Sequence, residues 1–102
     1  GLEGQTREGE WVTAHPVAGT IVGNVGDLLM RWTNDGFKST PHRVVNRKGV
    51  ERYSMVIAWD PNFDTVVDPS VVCQNDTQPM YSPVNCGDYV LSRFDSSFSY
   101  RQ

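Results

Sequence analysis

The chain has 102 residues and carries 12 acidic against 9 basic side chains, a formal net charge of −3. One ordinary domain fits that length, and 38% apolar residues are enough to fill one core. The acidic balance with dispersed cations excludes a protein whose affinity comes from neutralising phosphates, so neither nucleic acid nor an anionic membrane is an expected partner.

In chain order, Gly1-Leu2-Glu3-Gly4 lacks an initiator methionine and reads as the middle of a strand or turn, which sets the expectation of a larger parent chain. No secretory signal opens the sequence, and no apolar stretch approaches the roughly 20 residues a bilayer crossing needs. Turn formers then recur at short intervals: Arg7-Glu8-Gly9, His15-Pro16, Asn34-Asp35-Gly36, Asn46-Arg47-Lys48-Gly49, Asp60-Pro61-Asn62, Asp68-Pro69 and Asn85-Cys86-Gly87-Asp88. Between them lie β-rich runs over Glu10–Thr13, Gly19–Val25, His42–Asn46, Arg52–Trp59 and Thr65–Val67, a spacing that predicts an antiparallel sandwich or barrel. One stretch breaks the pattern: Gly26-Asp27 followed by Leu28-Leu29-Met30-Arg31 and stopped by Asn34-Asp35-Gly36 predicts a helical turn or two. The aromatics of the tail from Asp88 to Gln102 fit a short helix or an extended docking segment, with the helix preferred. Cys73 and Cys86 are too few and too far apart for a zinc knuckle or a redox pair, and free thiols are the expectation, with a disulfide as the alternative.

The chemistry-bearing residues are few. His15 precedes Pro16 and reads as an exposed loop histidine. His42 stands at the start of a β-run, where a strand entering a small barrel projects its side chains toward the opening. In Arg52-Tyr53-Ser54 the two-residue period of a strand puts Arg52 and Ser54 on one face. A guanidinium fork beside a hydroxyl is a natural carboxylate clamp. Taken alone, such a pair more often serves as solvated surface or an ion-pair partner.

The ordered set Asn24-Val25-Gly26-Asp27, Ser39-Thr40-Pro41-His42-Arg43-Val44 and Arg52-Tyr53-Ser54 changes that weighting. Together with Asp60-Pro61-Asn62-Phe63-Asp64, it closely resembles the C-terminal part of the non-haem Fe(II), 2-oxoglutarate-dependent dioxygenases, and most of all their isopenicillin N synthase-like branch. The resemblance implies a mainly β fold, a partial double-stranded β-helix (jelly roll) over residues 1–87 with a tail or helix over 88–102. It implies His42 as the second histidine ligand of Fe(II), with Arg52 gripping the distal carboxylate of 2-oxoglutarate and Ser54 sharing it. Gly26-Asp27 would shape a turn, and Arg43, pointing opposite to His42, would be an outward or packing residue.

The departure is equally specific. The family takes its other two iron ligands from a His-x-Asp motif, whereas His15 is followed by Pro16-Val17 and His42 by Arg43-Val44. The expectation is therefore an enzyme part: the C-terminal half of an oxidoreductase that uses Fe(II), O₂ and 2-oxoglutarate to hydroxylate, desaturate or cyclise a small organic substrate, silent without the missing N-terminal half of the same fold. One imidazole does not make the site, because preorganised multidentate geometry does. Exposed strand edges and apolar faces are expected where the absent strands would lie. The alternative is a non-catalytic jelly-roll binding or interaction module. A cytoplasmic location is inferred from the missing signal and the reducing conditions ferrous iron prefers.

Overall fold

The structure, a computed structural model, describes residues 1–74 and 77–101, so Gln102 of the predicted tail lies outside them. Strands β1 (Leu2–Gln5), β2 (Trp11–Thr13) and β3 (His42–Val44) form an antiparallel sheet in the order β2-β1-β3. The β1–β2 hairpin closes through Thr6 and Glu10, with the Thr6 amide donating to the Glu10 carbonyl at 2.8 Å and Gly9 adopting the positive φ of 90° that a side chain would resist. Register pairs Glu3 with Thr13 on one side and with Arg43 on the other, and Gly4 with Val12 and His42. Since directly opposed residues share a face, Leu2, Gly4, Val12, His42 and Val44 stand on one face, and Glu3, Gln5, Trp11, Thr13 and Arg43 on the other.

Helix α1 (Asp27–Trp32) follows the Gly26-Asp27 turn, where the sequence predicted it. It stops because Asn34 and Asp35 take φ of 51° and 64°, a left-handed pair that ends a right-handed helix. Strands β4 (Val66–Val67) and β5 (Val84–Asn85) make a second, two-stranded sheet. A 3₁₀ turn over Pro69–Val72 lies between them, capped by the Asp68 carboxylate on the Ser70 amide. Helix α2 (Cys86–Ser97) begins where the Asn85 side chain accepts from the amides of Gly87 and Asp88, and a 3₁₀ turn over Ser99–Arg101 follows it. Among the described residues the largest fully buried side chains are Val67, Pro69 and Cys86, so the core sits where β4, β5 and the start of α2 meet.

This corrects the expected fold class. The chain is mixed α/β with strands of at most four residues, and neither sheet curls into a jelly roll. The run over Gly19–Val25 and the alternating run over Arg52–Trp59 carry no strand. Tyr53, Met55 and Trp59 are 88%, 90% and 94% exposed, and Ile21 is 95% exposed. Period-two hydrophobicity makes a strand only when a neighbour accepts its backbone bonds and another layer covers its apolar face; Arg52–Trp59 has neither, and Gly19–Val25 has a single long bond, from the Thr40 amide to the Val25 carbonyl at 3.4 Å. The radius of gyration is 16.4 Å, against about 13 Å for a close-packed chain of this length. Cys73 and Cys86 are free thiols.

Candidate functional site

His42 opens β3 on the face it shares with Leu2 and Gly4. Its Nδ1 lies 3.0 Å from the Thr40 carbonyl oxygen. A carbonyl only accepts, so Nδ1 carries the proton and, in the neutral ring, Nε2 presents its lone pair. A carbonyl holding the Nδ1 proton in this way fixes the tautomer and leaves the other nitrogen open to a metal or a proton.

Two open hollows meet at His42. The first, of about 690 Å³, is walled by Leu2, Gly4, Ala14, Thr40 and the Val22–Val25 stretch. The second is walled by Asp27 and Leu28 of α1, by Ala58 and Asp60, and by Tyr89, Arg93 and Phe94 of α2. Phe94 thus borders a hollow, while Phe98 and Tyr100 stack beyond it, Phe94 to Phe98 at 6.1 Å and Phe98 to Tyr100 at 5.5 Å between ring centres. The Arg93 guanidinium donates to the Asp27 carboxylate at 2.6 Å, tying α2 to α1 across the second hollow. Sequence reasoning missed this tie because the partners stand 66 positions apart.

Arg52 and Ser54 do not line either hollow. Both lie exposed in the 51–60 stretch, which forms no regular element. Arg52 runs beside the first residue of the chain, where a Cβ on Gly1 would come within 2.8 Å of its Nε. His15 is exposed in a loop. Arg43 is engaged on the face opposite to His42: it donates to the Glu3 carboxylate at 2.7 Å, and its guanidinium stands 4.0 Å from the Trp11 ring centre.

Electrostatics follow these contacts. The Arg47 hydrogen bond, and then that of Arg43, hold the Glu3 carboxyl below the usual carboxylate range. The Tyr81 hydroxyl and then Lys38 do the same for Asp35, and that bond to Asp35 pushes the Tyr81 phenol up. Burial, with the Asp60 charge nearby, raises the Cys86 thiol, which keeps it protonated and unreactive. Arg31 donates to the Ser82 carbonyl at 2.8 Å and lies 5.1 Å and 5.4 Å from the rings of Tyr81 and Tyr89, so the end of α1 is pinned to α2 and the segment before it.

Fe(II) needs several hard and imidazole ligands in one place. Among the described residues no three His, Cys, Asp or Glu side chains gather to hold a metal ion. By itself the set does not fit the metal, and His42 stands as a single imidazole donor. No helix among the described residues is long and apolar enough to cross a membrane.

Residues 1–61, which include His42, Arg52 and Ser54, match the sequence profile of the 2OG-Fe(II) oxygenase superfamily. The chain is 42% identical over 101 residues to a 2-oxoglutarate-Fe(II) type oxidoreductase, ppzC, of Metarhizium rileyi, covering 96% of this chain and 26% of that protein. It is 35% identical over 99 residues to a homoarginine-6-hydroxylase of Oryza sativa subsp. japonica, covering 95% of this chain and 30% of that one. Its backbone matches a full-length Neurospora crassa protein crystallised with alpha-KG and thymine at a TM-score of 0.77 and 28% identity, over 96% of this chain and 31% of the other. The chain therefore spans between a quarter and a third of the length of these relatives. It belongs to the 2OG-Fe(II) oxygenase superfamily.

Proposed function

We propose that this chain is the C-terminal part of an isopenicillin N synthase-like oxygenase, residues 1–87 forming its body and 88–102 its tail, acting on a small organic substrate. In that reading His42 supplies one imidazole ligand through Nε2, and the other two iron ligands come from sequence outside this chain. Arg52 grips the distal carboxylate of 2-oxoglutarate with its guanidinium fork, and Ser54 adds a hydroxyl donor. An iron held by His42 together with ligands from outside this chain would supply O₂ activation coupled to decarboxylation of the oxoacid. This chain's own residues orient a ligand and hold an acid. The Thr40 carbonyl on Nδ1 of His42 is the observation that carries the reading, because it frees Nε2 within the stretch that matches the family.

The 102 residues alone are proposed to be catalytically silent, since they bring one ligand of three. A reducing, cytoplasmic setting suits ferrous iron and two free thiols. The isolated chain is then a non-catalytic piece with apolar stretches open to a partner, and its complement is the remainder of its own fold. The test uses a protein extending this sequence to the length of its relatives. Succinate released in step with oxidised product is expected, abolished by His42→Ala. Product without succinate would instead assign Arg52 and Ser54 to a substrate carboxylate. Neither product nor succinate across a panel of small organic acids and amines would overturn the enzyme reading.

A further inference from the structure

Apolar burial does little to fix the register of β3, because its one apolar cross-strand pair, Leu2 with Val44, leaves Val44 more than half exposed. All three of its residues are exposed, and no turn sets its alignment, because its partner β1 lies some 40 positions back in the chain. Alternation in a strand means that a slip by one residue would move His42 to the opposite face. A different device must hold it.

Glu3 is the one buried charged residue among the described residues, at 6% exposure. Its two carboxylate oxygens are divided between two cations: Oε2 accepts from Arg43 Nε at 2.7 Å, and Oε1 accepts from Arg47 Nη2 at 2.8 Å. Arg43 stands directly opposite Glu3 in the ladder, and its guanidinium reaches on to the Trp11 ring on the far strand. One side chain from each of β1, β2 and β3 therefore meets on a single face.

We infer that Glu3, Arg43 and Trp11 act as a brace across the three-stranded sheet whose work is to set the β1–β3 register, making Glu3 and Arg43 positioning residues for His42. A one-residue slip would take Arg43 off this face, removing its bond to Glu3 and its stack on Trp11 together. It would also leave the Glu3 carboxylate half-paired in a buried place, which is strongly unfavourable. The ordinary face of β3 carries no comparable penalty, so the brace decides. Arg47 extends the same lock into the turn that follows β3. The consequence for metal binding rests on the reading of His42 as a ligand, whereas the register itself does not.

The test is nuclear magnetic resonance on the 102-residue chain, reading cross-strand contacts between Gly4 and His42 and the imidazole ¹⁵N shifts of His42. Contacts between Val66 and Asn85 in the second sheet serve as the internal standard of folding. Glu3→Gln keeps the shape of the side chain and removes its charge. Glu3→Ala removes it altogether. Both are expected to weaken the Gly4–His42 contact at least twofold and to turn the fixed Nδ1–H pattern of His42 into that of a freely averaging ring, with the Val66–Asn85 contact kept. Unchanged Gly4–His42 contacts and ring shifts in both variants would overturn the inference. So would joint loss of both sheets in both variants, which would make Glu3 a residue of general stability. Failure of the oxygenase reading would show separately, as absence of succinate with the register response intact.

Discussion

Val67→Ala strikes the place where the small core is most completely closed. Val67 is 0% exposed, pairs with Val84 across β4–β5, and lies with Pro69 and Cys86 among the side chains fully removed from water. Deleting two carbons forfeits about 1.6 kcal/mol at roughly 0.8 kcal/mol per methylene. The rigid Pro69 ring and the backbone-anchored Cys86, whose amide donates to the Thr65 carbonyl at 2.9 Å, limit collapse into the gap, and the residual cavity raises the cost to about 2–2.5 kcal/mol. For a chain near 100 residues that corresponds to a fall in melting temperature of roughly 10 °C. Urea unfolding followed by far-ultraviolet circular dichroism reads it as a lower midpoint with an unchanged slope. The effect reaches the site, because α2 starts at Cys86 and carries Tyr89, Arg93 and Phe94 to the hollow beside His42. A loss below about 0.5 kcal/mol, the size of an ordinary surface substitution, would refute the claim that β4, β5 and α2 share one closed core.

Other outcomes follow from the same contacts. Asn85→Ala removes the acceptor for the first amides of α2 and should cost about 1 kcal/mol, with fraying of Cys86–Tyr89 visible in amide exchange. Gly87→Ala sets helix propensity, a gain of about 1 kcal/mol, against a Cβ placed 3.2 Å from both the Cβ and the carbonyl oxygen of Phe63. That carbonyl accepts the Gly87 amide at 2.9 Å and cannot easily retreat, so overpacking wins and the variant should melt lower than the parent. Backbone amides of Tyr53–Trp59 should exchange with solvent at nearly unprotected rates while those of β1 are slowed, and equal protection of the two would contradict the open placement of the 51–60 stretch. Glu3 and Asp35 have folded-state carboxyls below their unfolded values. Their stabilisation is therefore present above the ordinary carboxylate range and is lost as pH falls through the lowered values. Tyr81 is raised, so its share is present below about pH 10 and is lost as pH climbs past the raised value. Thermal melts from pH 2 to 11 should show both shoulders, and E3Q should shrink the acid one to the part that Asp35 contributes.

Local chemistry was legible in the sequence, and long-range pairing was not. Gly26-Asp27 and Asn34-Asp35-Gly36 bracket α1 because start and stop signals act within a turn of the helix they bound. Trp11–Thr13, His42–Val44 and Val66–Val67 fall inside predicted β-runs. The jelly roll failed for a physical reason visible at Tyr53, Met55 and Trp59. Alternation announces what a segment would bury, and says nothing of whether its partners are in the same polypeptide. β5 was hidden because Asn85-Cys86-Gly87-Asp88 reads as a turn, and is in fact a strand end and a helix cap placed back to back. His42 was singled out from the residues around it. Its setting was not, since it depends on the Thr40 carbonyl and on a Glu3–Arg43 bond joining residues 40 positions apart.

The central claim is that His42 and Arg52 do separable work on one ligand set, and binding measured without turnover tests it most directly. Anaerobic Fe(II) and 2-oxoglutarate titrations would be run on a protein extended to the length of its relatives, with H42A and R52A beside it. H42A should lose stoichiometric metal. R52A should keep the metal and weaken the oxoacid by about 2 kcal/mol or more, roughly 30-fold, the scale for removing one partner of a charged pair. Metal retained in H42A, or oxoacid affinity unchanged in R52A, would contradict the account.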